Sequence, residues 1–349
     1  MKFEAITIKD IAKALGLSNS TVSRALHDSY QISPETKKLV LDYAKKINYS
    51  PNPIALSLKE KRSRSIGVIV CEIANSFFSQ AINGIESIAY ERGYNVIITQ
   101  SHESYVREVS DLQFLASRSI DGLLISVSSE TKDFDHLLQF QGKGLPIVFF
   151  DRIFQDIETH KVMVNNFKGS FDLTTHLIKN GYRRIAHLAN SESLSITQER
   201  IAGYKEALRH HAIDINESYI KHCAHGGMIY QEVENALDQI MLHEMAPEAF
   251  FGAGDKLTTG CLRYFKAKGI KVPEDMALAG FSNLDLTDLL TPPLTVVRQP
   301  AYEMGKAAAN LLLSQVESKR PVTGFQKMVL EPELLIRDSS GENLIKGNR

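Results

Sequence analysis

The apolar positions of this chain keep two different rhythms. Up to residue 47 they fall three and four apart in short blocks, the spacing of amphipathic helices. After residue 65 they gather into short unbroken runs, each followed by a longer segment of helical spacing.

In the first part, Ile8, Ile11, Ala12 and Leu15 share one face, with Thr7 ahead of them as a cap and Asp10 in the first turn. Gly16 permits the left-handed backbone of a sharp exit, and Leu17 packs into the corner. Ser18 then caps a second helix whose Val22, Ala25 and Leu26 face inward, leaving Asn19, Ser20, Ser23 and Arg24 outside. A third helix starts at Ser33 and Pro34, and its buried stripe is Leu39, Val40, Tyr43, Ala44 and Ile47. Three short helices around one small core leave the outer face of the second free to enter a major groove.

The segment "YSPNPIALSLKEKRSRS" (49–65) follows, and Pro51 and Pro53 stop the third helix. Asn52 can cap a short helix with Pro53 at its first position, Ile54 and Leu58 on one side, and Ala55 small enough for close approach. Such a helix is too short to be stable alone and needs a partner.

Beyond it, "SIGVIVC", "YNVIITQ", "DGLLIS" and "PIVFFD" alternate with helical segments such as "FFSQAINGIESIAYERG". After residue 160 the scheme repeats with "RIAHLAN", "AFFGAGD" and "MALAGFS". Near-continuous apolar strands between helices predict parallel sheets covered on both faces, in two halves with a cleft between them. A small molecule binds such a body at the carboxyl ends of the strands. Asn75, Phe77, Phe78, Asp151, Arg152, Arg200, Asp255, Ser282 and Gln299 stand at or near those ends. They suit a polyhydroxylated ligand, since aromatic rings cover the C–H faces of a sugar and the polar groups pair with its hydroxyls. Each also has a plainer role open to it: Phe77 and Phe78 in the core, Asp151 and Arg152 as an ion pair, Asp255 as a helix cap.

Charge sharpens the division. The net charge of −1 is the sum of +5 over residues 1–62 and −6 over the remainder, a basic head on an acidic body, as in a nucleic-acid reader carrying a second domain. The apolar share of 43% and charged share of 23% are those of an ordinary globular protein, which excludes a disordered or fibrous chain. No run has the length of a membrane span, and the first residues have no signal-peptide core, so a cytoplasmic protein is expected. Cys71, Cys223 and Cys261 lie far apart and read as reduced, buried thiols, with no metal site or cofactor expected.

"TIKDIAKALGLSNSTVSRAL" (7–26) and "ISPETKKLVLDYAKKINYSPNPIALSLK" (32–59) together resemble the LacI/GalR family of bacterial transcription factors, and the resemblance runs through nearly the whole chain. It implies an α/β protein with a three-helix helix-turn-helix head and a periplasmic-binding-protein-like body of two parallel-sheet subdomains. The head would span 1–50, a hinge helix 51–62 and the ligand-binding and dimerisation domain 63–340, with a polar tail at 341–349. Within the body, one subdomain would take about 63–161 and 295–324 and the other about 162–291 and 325–340. By the resemblance Asn19, Ser20 and Arg24 lie where bases are read, while Thr21 and Ser23 contact phosphate or support the turn; the caps Thr7 and Ser18 belong to the same surface. Asn52, Ala55, Leu58 and Lys59 match the hinge helix, with Leu58 the residue that enters the minor groove. Asn75, Phe77, Phe78, Asp151, Arg152, Arg200 and Gln299 match ligand-contacting positions, with Gly254 where an Asn is common and Ser282 where an Asp often stands; Leu56 replaces a long polar side chain.

The expected function is a sequence-specific regulator, a homodimer on double-stranded operator DNA, controlled by a sugar-like effector between the subdomains. The segments "AINGIESIAYERG" and 105–118 are expected at the dimer interface. The alternative is a sugar-binding or enzyme-like α/β protein with an accessory basic domain. "FGAGD" has the start of a dinucleotide fingerprint, but Leu257 stands in place of its third glycine, and no catalytic constellation is apparent.

Overall fold

Thr7 caps the first helix of the head in the computed structural model, which describes residues 6–49, 62–320 and 322–341. Its backbone N–H and hydroxyl both donate to Oδ2 of Asp10, at 2.8 and 2.7 Å, closing the first turn of α1 (Ile8–Leu15). Gly16 ends that helix at φ 64°, in the left-handed region, and α2 (Asn19–Leu26) starts three residues further on. The third helix, α3 (Pro34–Lys46), is capped by the Ser33 hydroxyl, which accepts from the Thr36 N–H at 3.2 Å. Ile11, Ala12, Val22, Ala25, Val40 and Ala44 form the buried core of the three.

One expected core residue is outside it. Leu39 is 50% exposed, because the stripe is centred on Val40 and continues through Tyr43, Ala44 and Ile47, which turns position 39 about 100° away on the helix surface.

The chain divides at residues 64 and 65 into two units. The second holds two six-stranded sheets. The first sheet contains β1 (Ser65–Val70), β2 (Asn95–Gln100), β3 (Gly122–Ile125), β4 (Ile147–Phe150) and β5 (His160–Val164). The second contains β6 (Ile185–Ala189), β7 (Ile220–His222), β8 (Ala249–Gly252), β9 (Ala277–Phe281) and β10 (Thr295–Arg298). Each is completed by a late strand: β11 (Lys327–Leu330) adds in parallel to β5, and β12 (Glu333–Leu335) adds antiparallel to β10. All other pairings are parallel, in the orders β11-β5-β4-β3-β1-β2 and β12-β10-β9-β8-β6-β7.

The chain therefore crosses between halves at 164–166, 298–301 and 330–333, each time later than the expected boundaries. The run "HKVMV" precedes a helix and so looks like the opening strand of the second half, yet it pairs with β4 and β11 of the first. Likewise 295–298 belongs to the second sheet and 327–330 to the first.

Helices cover both faces of each sheet. Among them are α4 (Ser76–Glu91), α5 (Tyr105–Ser117), α6 (Asp135–Gly142), α7 (Asn166–Lys179), α8 (Ser195–His210), α9 (Tyr230–Met241), α10 (Asp255–Lys268) and α11 (Ala301–Glu317). The first half keeps one helix from after the crossing, α11, which lies so close to α4 that a Cβ on Gly84 would overlap the Tyr302 carbonyl and one on Gly305 the Ala81 carbonyl. Of the two segments expected at an interface, the helix of "AINGIESIAYERG" packs one face on α11 and leaves Tyr90 78% exposed, while α5 leaves Val106 and Phe114 exposed, at 74% and 44%. Among the described residues no helix is long and apolar enough to cross a membrane.

Candidate functional site

On the head, the candidate DNA-reading residues sit at the start of α2 because Ser18 ends the turn. Its hydroxyl accepts from the Thr21 N–H at 3.1 Å and bonds the hydroxyls of Ser20 and Thr21, each at 2.8 Å. Asn19, Ser20 and Arg24 are exposed, Thr21 and Ser23 half-buried. The expected hinge contacts Asn52, Ala55, Leu58 and Lys59 lie outside the described residues.

In the second unit, Asn75, Phe77, Phe78, Asp151, Arg152, Arg200, Asp255, Ser282 and Gln299 all line one cleft that opens to solvent. The parallel sheets explain the convergence, since their carboxyl ends face each other across the crossing segments.

Asn75 caps α4, its side-chain oxygen accepting from the Phe77 N–H at 2.9 Å. Phe77 and Phe78 pack edge to face, centroids 5.3 Å apart, and belong to the core of the first half while also walling the cleft.

Asp151 follows β4 with φ 61°, a left-handed conformation uncommon outside glycine that is retained where surrounding structure enforces it. It is 5% exposed, and burial pushes its carboxyl up, with Arg152 and Arg200 opposing. Arg152 is not primarily its partner: the two come no closer than 3.9 Å. Nη1 of Arg152 instead donates to Glu103 Oε2 at 2.7 Å, to Cys71 Sγ at 3.0 Å and to the Val127 carbonyl at 3.3 Å. Burial alone would raise Glu103, but the Arg152 charge and the hydrogen bonds from Arg152 and Ser129 hold it below its ordinary value.

Arg200 is the sixth residue of α8, one turn later than expected. Each of its nitrogens makes one hydrogen bond: Nε donates to Asn166 Oδ1 at 2.9 Å, Nη1 to the Ala253 carbonyl and Nη2 to Gln299 Oε1 at 2.6 Å. Its guanidinium lies 3.9 Å from the Phe281 ring centre. Burial pushes its pKa down to about 10, so it stays protonated at neutral pH.

Asp255 does not cap its own helix. Its Oδ1 accepts from the Ser282 hydroxyl at 2.6 Å and the Asn283 N–H at 2.8 Å, tying α10 to the end of β9. Burial raises it, offset in part by those bonds. The two departures noted in the sequence are compensated here: a carboxylate reaches Ser282 from Asp255, and a side chain on Gly254 would begin 3.8 Å from the Asn190 amide, which already occupies that corner.

Sequence reasoning missed Glu72, Glu103, Asn190, Lys256, Phe281 and Asn283, which also line the cleft. Asn190, Phe281 and Asn283 are at or beside strand ends and were within reach of the same rule. Glu103 lies in an irregular loop, and only its pairing with Arg152 reveals it. Links join the two halves across the cleft: Lys256 Nζ lies 2.7 Å from Glu72 Oε2, Gln80 and Asn283 exchange hydrogen bonds at 2.8 and 3.0 Å, and Ser193 donates to the Ser129 carbonyl at 2.7 Å.

Cys71, Cys223 and Cys261 are buried, unpaired thiols, each raised by burial. Among the described residues no group of His, Cys, Asp and Glu is arranged to hold a metal.

A family model described as "Bacterial regulatory proteins, lacI family" matches residues 7–52, and one for a periplasmic binding protein-like domain matches 174–340. The HTH-type transcriptional repressor CytR of Escherichia coli (strain K12) is 34% identical over 336 residues, covering 96% of each chain. Among solved structures, the transcriptional regulator CelR in complex with cellobiose aligns with TM-score 0.70 at 27% identity, over 96% of this chain and 99% of that one. The lac repressor dimer bound to operator and the anti-inducer ONPF shares the fold, with TM-score 0.81 at 22% identity over 97% and 100%.

Proposed function

This chain belongs to the LacI family of bacterial regulatory proteins, and from that premise we propose that it is a homodimeric repressor whose grip on operator DNA is set by a sugar-like effector in the cleft. The observation that carries the effector half is the convergence of nine strand-end residues, four of them charged, on one cleft between the sheets. The DNA half rests on the exposed Asn19 and Ser20 at the start, and Arg24 in the last turn, of a helix held by the Ser18 cap. Hydroxyls of a sugar would meet Asp151, Arg152, Asp255 and Asn75, and its C–H faces would meet Phe77 and Phe78. The similarity to CelR, solved with cellobiose, supports this ligand class.

Effector and operator are then coupled, so each changes the other's affinity by the same factor. The expected coupling is about 1–3 kcal/mol, or roughly 5- to 150-fold in operator affinity. The relatives are repressors and not enzymes, so turnover is not expected. The test is anisotropy of labelled genomic fragments titrated with the full-length protein, with and without saturating effector found by a thermal-shift screen. Equal operator affinity in both conditions overturns the regulated reading; failure to bind any fragment at low salt overturns the DNA-binding one.

A further inference from the structure

We infer that His225 is a specificity-determining residue of the cleft, which offers Nε2 to one hydroxyl of the effector, and that Glu232 positions its ring for that contact. This rests on the effector reading above and deepens it.

His225 lines the cleft from the loop between β7 and α9, just ahead of two glycines in the left-handed region, Gly226 at φ 58° and Gly227 at φ 84°. Paired glycines give a loop wide backbone freedom, but this loop is held on both sides. On one side Glu232, in the first turn of α9, grips His225 with both carboxylate oxygens: Oε1 lies 2.6 Å from Nδ1, and Oε2 accepts the His225 backbone N–H at 3.1 Å. On the other the loop is pressed onto the cleft wall, where a Cβ on Gly226 would stand 3.1 Å from Asn190 Oδ1 and one on Gly227 3.0 Å from the Lys256 backbone. The bond to the backbone N–H is enough to staple the loop to the helix. The second oxygen adds control of the imidazole itself.

A carboxylate only accepts, so this contact places a proton on Nδ1 and sets the plane of the ring. The other nitrogen is left over. Nε2 makes no hydrogen bond among the described residues, and with the side chain 45% exposed it is open to an incoming group. A hydroxyl both donates and accepts, so it pairs with Nε2 in either protonation state of the ring, whereas a C–H group in its place shuts out water and leaves the nitrogen unpaired. Because Glu232 has already fixed the ring, the bond costs little ordering, and the contact separates ligands that differ by a single hydroxyl.

The test is calorimetric titration of the full-length protein with pentoses, hexoses, disaccharides and nucleosides, followed by every monodeoxy analogue of the compound that binds. Wild type is compared with His225→Phe, which keeps a ring at the position and removes both nitrogens, and with Glu232→Ala. In wild type, loss of one particular hydroxyl should weaken binding about three- to tenfold. In H225F the same loss should cost nothing, and the parent compound should bind weaker by that same factor, as a double-mutant cycle requires of two groups in contact. In E232A the penalty for that hydroxyl alone should shrink, while the penalties for the others stay as in wild type; a merely structural role would weaken all the analogues alike. Wild-type penalties at every hydroxyl in H225F overturn the inference and leave the effector reading standing, and unchanged penalties in E232A overturn the role of Glu232. His225→Ala is the second variant, with the same hydroxyl-specific loss expected and the same result overturning it. Silence of every compound removes the effector reading, and the inference with it.

Discussion

Lys256 Nζ lies 2.7 Å from Oε2 of Glu72, joining the first turn of α10 in one half to the loop after β1 in the other. The side chains are 35% and 17% exposed, so water and salt weaken the pair, and it is worth under about 1 kcal/mol to stability. Its consequence is kinetic, because it is one of the polar links that join the two halves across the cleft. Lys256→Met should leave the denaturant midpoint nearly unchanged while ligand release speeds up severalfold, since affinity changes within one complex fall mostly on dissociation. Stopped-flow displacement of bound effector checks this; an unaltered release rate contradicts it.

Asp151 stores an opposite kind of cost. Its pKa is raised in the folded protein, so the ionised carboxylate is less stable there than in the unfolded chain. The folded state therefore holds the proton to higher pH, stability falls as pH rises from the unfolded value near 3.9 through the raised folded value, and the penalty is complete above that raised value. Asp151→Asn removes that penalty and should stabilise the unliganded protein by roughly 0.5–2 kcal/mol, the ordinary size of a stabilising substitution. The same change should sharply weaken effector binding. Thermal melts with and without ligand read both effects, and a less stable unliganded variant refutes the sign.

Asp151 also shows how far the sequence could be read. Its place at the end of "PIVFF" marked it as a cleft residue, because in a parallel sheet the direction of the strand fixes which end faces the ligand. The same rule reached Asn75, Arg152, Asp255 and Ser282, and helix spacing reached the core of the head. What no local pattern contains is which charges meet. Arg152 neighbours Asp151 in sequence but binds Glu103, which follows β2, a strand three places away across the sheet. Strand membership near the crossings was hidden for a related reason. "HKVMV" has the same apolar pattern in either sheet, and only pairing with β4 and β11 assigns it. Leu39 failed differently, since an apolar residue at the edge of a stripe in a small head is not forced inward.

His187 gives the body a pH limit. It is fully buried on β6, its ring stacked on Tyr204 and 4.2 Å from that of Phe251, with Nδ1 3.2 Å from the Phe251 carbonyl. Burial pushes its pKa down to about 3, against about 6.5 in the unfolded chain. Between those values the unfolded chain binds the extra proton, so stability is lost as pH falls below about 6.5, at up to about 1.4 kcal/mol per pH unit. His160 and His176, also lowered by burial, add to the same slope. His187→Phe keeps the aromatic stack and removes the titrating nitrogens, so urea unfolding at a series of pH values should give a shallower acid slope than wild type. A slope that is unchanged, or steeper, would mean that the ring is protonated in the folded protein.

Arg24 tests the DNA-reading face without disturbing the fold. It is exposed on α2, while Val22 and Ala25 on either side of it are buried, so truncation removes a side chain that supports no packing. A guanidinium placed to reach a guanine is worth about 1–3 kcal/mol of discrimination, or roughly 5- to 150-fold. Arg24→Ala should lose that much affinity on the operator recovered from genomic fragments, and little on operators already changed at the contacted base pair. The dependence of binding on salt should stay the same, because a base contact releases no phosphate counterion. Equal losses on every operator, together with a salt slope smaller by about one, would instead make Arg24 a phosphate contact and shift base reading to Asn19 and Ser20.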